Sequence, residues 1–218
     1  MTQITSGIFI SGVNELQAMP LAKLGIGHVI CCLDPSLVIG MYRQIIARYP
    51  NLVVLFLPMN DDLTQDLFTT QDRIQMINSR ELMPQLARPG VRTANGCDIG
   101  SSRASCGISS RASSGVSSAE MMYRGKPYAK VGNHFINCAL AKGSKVLVHC
   151  MAGISRSVSI VAYHLMITYG LSYDQAIKLI RSRRPIANPN PNFSQTLVAD
   201  GAAHTTESIV RGIKSLVS

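Results

Sequence analysis

Val146-Leu147-Val148-His149-Cys150-Met151-Ala152-Gly153-Ile154-Ser155-Arg156-Ser157 joins a short apolar run to a longer one, Val158-Ser159-Ile160-Val161-Ala162-Tyr163-His164-Leu165-Met166-Ile167. The first run has the length and branched side chains of a buried strand. The second is apolar nearly all round, as a buried central helix is. A loop from a strand into a helix start aims successive backbone N–H groups into one concavity. Such a concavity binds anions, phosphate above all. Cys150 stands at its base and Arg156 closes it. A nucleophile at the base of a phosphate nest points to phosphoryl transfer to cysteine.

Each residue type in the loop has a task in that chemistry. Attack on phosphorus needs a thiolate, and the loop amides, the helix starting near Ser157 and the Arg156 cation all favour the anion. Met151, Ala152, Gly153, Ile154 and Ser155 supply the amides. The planar fork of Arg156 holds two phosphate oxygens at once, which a lysine would not do. Gly153 lets the loop turn back without a Cβ in the way, at positive φ. The Ser157 hydroxyl can reach back to the sulfur and stabilise it as a leaving group. His149 fits a role in hydrogen bonding loop backbone better than one in proton transfer. A lone Cys-x5-Arg is common by chance, and a buried Cys is usually a small hydrophobe. The conjunction of strand, His-Cys, glycine, Ser-Arg-Ser and helix is what carries the reading.

With these residues in view, the segment resembles the signature of the cysteine-dependent protein tyrosine phosphatases, and His149-Cys150-x-x-Gly153-x-Ser155-Arg156-Ser157 resembles the dual-specificity branch in particular. Ile4-Thr5-Ser6-Gly7-Ile8-Phe9-Ile10-Ser11-Gly12 is similar to the first strand of those domains, and Gly25-Ile26-Gly27-His28-Val29-Ile30 to the next. Arg183-Arg184-Pro185-Ile186-Ala187-Asn188-Pro189-Asn190-Pro191-Asn192-Phe193 resembles the family's closing "R-P-x-x-x-P-N-x-x-F". The resemblance covers about residues 1–67 and 127–198. It implies a small atypical member that hydrolyses phosphotyrosine and phosphoserine or phosphothreonine in proteins through a cysteinyl-phosphate. Cys150, Arg156 and Ser157 would be catalytic, with His149 and Asn190 in support.

A phosphoester's leaving oxygen needs a proton, and the family draws it from an Asp on a loop after an upstream strand. Here Leu52-Val53-Val54-Leu55-Phe56-Leu57-Pro58 reads as that strand, followed by Met59-Asn60-Asp61-Asp62-Leu63-Thr64-Gln65-Asp66-Leu67. The family pattern "D-x-x-x-Q-x-L" places the acid on Asp61. Asp62 is the nearest competitor and Asp66 a distant one. By residues alone the cluster is equally a solvated acidic turn.

The stretch from Asp61 to Cys150 is much longer than the family usually has. Tyr128-Ala129-Lys130-Val131-Gly132-Asn133-His134-Phe135-Ile136-Asn137-Cys138-Ala139-Leu140 reads as the one helix expected there, so the excess falls at about residues 68–126. Residues 70–83 predict a short helix with Ile74 and Ile77 on one side and Leu82 near them. Low-complexity text spans 88–118, with a near repeat of Ser102–Ser109 in Ser110–Ser117. Such Ser/Gly/Arg-rich sequence buries too little apolar surface to offset its ordering entropy, which predicts a long flexible insertion. Its two Arg-Ala-Ser triplets match basic-directed kinase targets, and also match plain linker.

The chain has 218 residues and a net charge of +9. That size predicts one catalytic domain over 1–198, interrupted by the insertion, and a loose amphipathic tail over 199–218. Alternating strand and helix patterns predict an α/β fold, with a mostly parallel central sheet flanked by helices and the protein tyrosine phosphatase-like topology that the resemblance implies. Gly170 would stop the helix after the phosphate loop, and Ser172-Tyr173-Asp174-Gln175 is a capping-box pattern for the next. His164 reads as a core histidine. No run reaches membrane-spanning length and no signal-peptide pattern opens the chain, so the expectation is a cytoplasmic protein without membrane contact, with the nucleus open as a second compartment. Six cysteines without framework spacing agree with a reducing compartment. Cys31-Cys32 ends a strand; a packed core thiol and, through the resemblance, a reversible disulfide with Cys150 both remain open. Metal-ligand spacings are absent, so no metal and no cofactor is expected.

The positive charge suits phosphorylated protein substrates. Part of it lies in the insertion and in Arg181-Ser182-Arg183-Arg184, read as solvated. No aromatic-and-basic module predicts specific nucleic-acid binding. None of the residues between Cys150 and Arg156 is cationic, whereas phosphoinositide-directed relatives usually carry lysines there, so the resemblance ranks phosphoinositides below proteins as substrates. An RNA 5′-phosphatase, a phosphoprotein-binding pseudophosphatase and a scaffold acting through its insertion are the alternatives; oligomeric state is open.

Overall fold

The computed structural model describes residues 1–17, 20–68, 70–71, 74–78, 123 and 125–203. Its centre is a six-stranded sheet. Four neighbouring strands are parallel: β2 (Ile8–Gly12), β8 (Lys145–Cys150), β3 (Ile26–Cys31) and β4 (Val53–Phe56). Antiparallel strands close both edges, β1 (Thr2–Gln3) beside β2 and β6 (Gln75–Asn78) beside β4. The expected α/β, mostly parallel architecture is therefore present.

Parallel strands buried on both faces are apolar at successive positions, and alternate side chains point to opposite sides. Ile8, Ile10, Ile30, Leu55, Val146, Val148 and Cys150 face one core. Phe9, Val29, Cys31, Val54, Phe56 and Leu147 face the other. On that second face lies α2 (Pro35–Arg48), which opens with the Asp34 carboxylate accepting from Ser36 N–H at 3.0 Å and turns Val38, Tyr42 and Ile46 inward. A short α1 (Val13–Gln17) follows β2.

The first face carries α3 (Tyr128–Ala141), α4 (Arg156–Tyr169), α5 (Tyr173–Arg183) and a last helix, α6, spanning 191–203. As its apolar sequence requires, α4 is buried continuously from Ser157 to Met166, His164 included. Gly132 lets α3 approach it: a Cβ there would stand 2.7 Å from Ile160 Cγ2. Gly170 ends α4 in the left-handed conformation, and the expected capping box starts α5, with Gln175 N–H donating to Ser172 Oγ and Ser172 N–H to Gln175 Oε1.

Two expectations are corrected. Within 70–83, residues 75–78 form strand β6, not a helix; Val54 faces Ile77 and Leu55 faces Met76. Ile74 is buried and Met76 partly buried, two positions apart as strand period demands. The bare edge of β4 offers a row of backbone donors and acceptors, and pairing with it outweighs a weak helical spacing. Arg184 is the second correction. It is buried rather than solvated, for reasons given below. The ends of the insertion meet in a two-stranded ribbon, β5 (Thr70–Gln71) against β7 (Lys126–Pro127). Leu82, the low-complexity stretch at 88–118 and its Arg-Ala-Ser triplets lie outside the described residues.

Candidate active site

Cys150 is the last residue of β8, held between β2 and β3, so its side chain sits at the carboxyl end of the central strand. In open α/β sheets this end of the strands is where ligands bind. The neighbouring strand ends hold the loop's start: Val13 N–H donates to Met151 O and Cys32 N–H to His149 O. Beyond Cys150 the chain turns back at Gly153, whose φ is 69°. Gly153 N–H then donates to Cys150 Sγ at 3.2 Å, and Ser157 Oγ lies 3.3 Å from the same sulfur. The Gly153 amide and the Ser157 hydroxyl thus converge on the buried sulfur.

The turn is fixed from behind by Arg184. Its Nε donates to Gly153 O at 2.7 Å and its Nη2 to Ala152 O at 3.1 Å, while Nη2 also donates to Glu15 Oε1 and Nη1 to Thr2 Oγ1, each at 3.0 Å. In a planar trans peptide the C=O and the following N–H point oppositely. Drawing the carbonyls of Ala152 and Gly153 backward therefore turns the amides of Gly153 and Ile154 forward, into the concavity. Sequence reading missed this residue's place. Its one signal was the position of Arg184 in the closing Arg-Pro pattern, against a local cluster of basic residues that read as solvent-facing.

Asp61 lies over the loop. Its Oδ1 accepts from Ser155 Oγ at 2.6 Å and from Asn190 Nδ2 at 2.9 Å, and its Oδ2 is 3.5 Å from Arg156 Nε. Arg156 Nη1 donates to Met59 O, so one guanidinium joins the loop at 58–67 to the helix start. Asn190 also donates its backbone N–H to Ser155 Oγ, and Asn188 N–H bonds Ile154 O. Three loops (58–67, 151–155 and 184–190) are in this way sewn into one mouth. Asp62 is occupied elsewhere: its carboxylate accepts from Thr64 N–H, Thr64 Oγ1 and Gln65 N–H, and the Thr64 hydroxyl above all holds it below the usual carboxylate range. Asp66 accepts from Phe68 N–H.

His149 is fully buried on the α2 side of the sheet. Burial lowers its pKa to about 4, so the ring is neutral. The neutral Tyr42 hydroxyl bonds Nε2 at 2.5 Å, leaving the Nδ1 proton for Cys150 O at 3.3 Å. His149 is thus placed against the backbone at the start of the loop. Cys31 and Cys32 are both buried, on opposite faces of the sheet. Burial pushes the Cys31 thiol up to about 12 and Cys32 well above the usual thiol range. Cys32 shares its core with Cys150. Among the described residues no group of three His, Cys, Asp or Glu side chains could hold a metal ion, and no helix is long and apolar enough to cross a membrane.

Comparison with known proteins agrees with this geometry. Residues 125–201 match the family description "Dual specificity phosphatase, catalytic domain", which takes in the phosphate loop and Asn190 but not Asp61. A protein of Acanthamoeba polyphaga mimivirus named "Putative tyrosine-protein phosphatase" is 33% identical over 200 residues, 90% of this chain and 82% of that protein. "Dual specificity protein phosphatase 15" of Mus musculus is 44% identical over 80 residues, which span only 37% of this chain and 34% of the mouse protein. The crystal structure of human DUSP28 superimposes with a TM-score of 0.57 at 18% identity, covering 95% of this chain and 99% of that one, a likeness of fold. The chain belongs to the dual-specificity phosphatases, hydrolases of the cysteine-dependent protein tyrosine phosphatase superfamily, as a small atypical member.

Proposed function

We propose that this protein dephosphorylates phosphotyrosine and phosphoserine or phosphothreonine in proteins through a cysteinyl-phosphate. The observation that carries the reading is the convergence on Cys150 Sγ of the Gly153 amide and the Ser157 hydroxyl, with Arg156 and Asp61 3.5 Å apart beside them. In the first step the Cys150 thiolate forms an S–P bond as the P–O bond to the substrate breaks. Asp61, protonated, gives its proton to the leaving oxygen. Arg156 and the loop amides of Met151 to Ser155 hold the three phosphoryl oxygens, most strongly where negative charge gathers in the transition state. In the second step water attacks phosphorus, the Asp61 carboxylate takes its proton, and the S–P bond breaks. The departing thiolate is received by Ser157 Oγ–H and Gly153 N–H.

Asp61 is favoured over Asp62 as the acid because Asp62 is spent on its own turn, and neutralising it would weaken the three hydrogen bonds its Oδ1 accepts. The test is hydrolysis of an aryl phosphate, and of phosphotyrosine, phosphoserine and phosphothreonine peptides, by wild type, Cys150→Ser and Asp61→Ala. The expected result is no turnover with Cys150→Ser and about a 10²–10⁴-fold lower kcat with Asp61→Ala. Full activity of Asp61→Ala would move the acid to another residue. A folded but inert wild type would replace turnover with phosphate-dependent binding.

A further inference from the structure

The mouth of the site is apolar where it is not acidic. Leu63 on the acid loop is 67% exposed, Met151 and Ile154 on the phosphate loop 49% and 36%, and Ile186 on the 184–190 loop 54%. Eight large apolar side chains are exposed among the described residues, and these are four of them, gathered on three short loops. Single exposed apolar residues are ordinary, but a cluster of them around a reactive group marks a contact surface. The loops are already joined to one another through Ser155, Asn188 and Asn190, which brings together the three segments that carry the four exposed side chains.

The charge of the rim sharpens the choice of occupant. The chain carries +9 overall, yet none of its lysines lies in 58–67, 151–156 or 184–190. Of the two arginines there, Arg156 serves the phosphate and Arg184 is turned inward onto Glu15 and loop carbonyls. The acid loop adds Asp61, Asp62 and Asp66. A second phosphate or a carboxylate beside the first would meet this like charge, and among the described residues of the three loops no further cation offsets it, Arg181 of α5 being spent on Ala187 O and Asn188 Oδ1. Apolar neighbours would cover the rim and be dehydrated by it.

Resting on the phosphatase reading above, we infer that Leu63, Met151, Ile154 and Ile186 form an apolar collar selecting a singly phosphorylated protein segment with apolar residues beside the phosphorylated one. Three phosphotyrosine peptides of equal length test this: one flanked by Leu and Val, one by Asp and Glu, and one with a second phosphate two residues away. Wild-type kcat/KM should favour the apolar peptide at least about tenfold over either other. Leu63→Ser and Ile186→Ser should each shrink that advantage by about threefold or more, through KM rather than kcat. Equal kcat/KM for the three peptides, or a preference for the acidic or doubly phosphorylated one, overturns the collar. So does a loss in Leu63→Ser shared equally by all peptides. Hydrolysis of an aryl phosphate separates this from failure of the phosphatase reading itself. Were the wild type inert there, the affinity of Cys150→Ser for the same peptides, read by fluorescence polarisation, would rank apolar first if the collar holds and show no ranking if it does not.

Discussion

The Ser155 hydroxyl donates to Asp61 Oδ1 at 2.6 Å while accepting the Asn190 backbone N–H at 3.1 Å. One hydroxyl thereby ties the acid loop to the phosphate loop and both to the start of the last helix. Neither partner is near Ser155 in sequence.

Ser155→Ala should loosen Asp61 without touching the sulfur's own contacts. The expected outcome is a kcat lower by about tenfold, since misplacing a reacting group costs rate more than binding. KM for an aryl phosphate should hardly change. Steady-state kinetics on Ser155→Ala and Ser155→Thr checks this; the Thr variant keeps the hydroxyl and should recover most of the rate.

Arg184 joins two loop carbonyls, Thr2 and the Glu15 carboxylate in a buried setting. Arg184→Met takes the donor from both loop carbonyls and leaves Glu15 with only its ion pair to the N-terminal ammonium, and breaking a buried charged network costs about 3–5 kcal/mol. For a chain of this length each kcal/mol lowers Tm by about 2–4 °C. A thermal melt should therefore show a drop on the order of 10 °C. A drop of no more than one or two degrees would mean the network contributes little.

Gly153 and Gly40 offer opposite cases. A Cβ at Gly153 would stand 2.6 Å from Ser11 O and from Arg184 Nη2, on a backbone already at φ 69°. Gly153→Ala should destabilise by more than about 2 kcal/mol and abolish turnover. Gly40 lies exposed inside α2, and a Cβ there meets nothing within 4 Å. Gly40→Ala should stabilise by about 0.5–1 kcal/mol through helix propensity alone. Denaturant midpoints of the two variants should move in opposite directions.

Acid should unfold the protein through its buried imidazoles. Burial lowers both His149 and His164 to about 4, below the 6.5 of an exposed histidine. Between those values the unfolded chain binds more protons than the folded one, so stability rises with pH there. It is fully present above 6.5 and is lost as pH falls from 6.5 toward 4. The lowered Asp62 carboxyl acts in the same direction, but only below 3.8. Melting temperatures of wild type and His164→Asn from pH 7.5 to 4.5 should show a shallower slope in the variant. Parallel slopes would remove His164 from this account.

The phosphate loop was legible in the sequence because its parts are contiguous. A strand, a turn at Gly153 and a helix start carry Cys150, the loop amides, Arg156 and Ser157 within one short stretch, so local rules place them together. The same holds for the Gly170 stop and the Ser172–Gln175 cap, which are one-turn devices. The parallel sheet could be foreseen because buried parallel strands must be apolar at every position, and Val146 to Val148 is.

What lies far apart in sequence was settled only by folding. Residues 75–78 carry a faint helical spacing, yet the open edge of β4 takes them as a strand, because unpaired backbone at a sheet edge outweighs local preference. Arg184 stands in a run of basic residues, and only the packing of Glu15, Thr2 and two loop carbonyls around it turns it inward. Asp61 and Asp62 are chemically equal as text; they part when Ser155 and Asn190 approach one and Thr64 takes the other. The sequence by itself determined the local chemistry of the phosphate loop, since neighbours in the chain are neighbours in space. Which carboxylate overlies that loop, and which arginine shapes it, depended on long-range contacts that only the tertiary structure brings together.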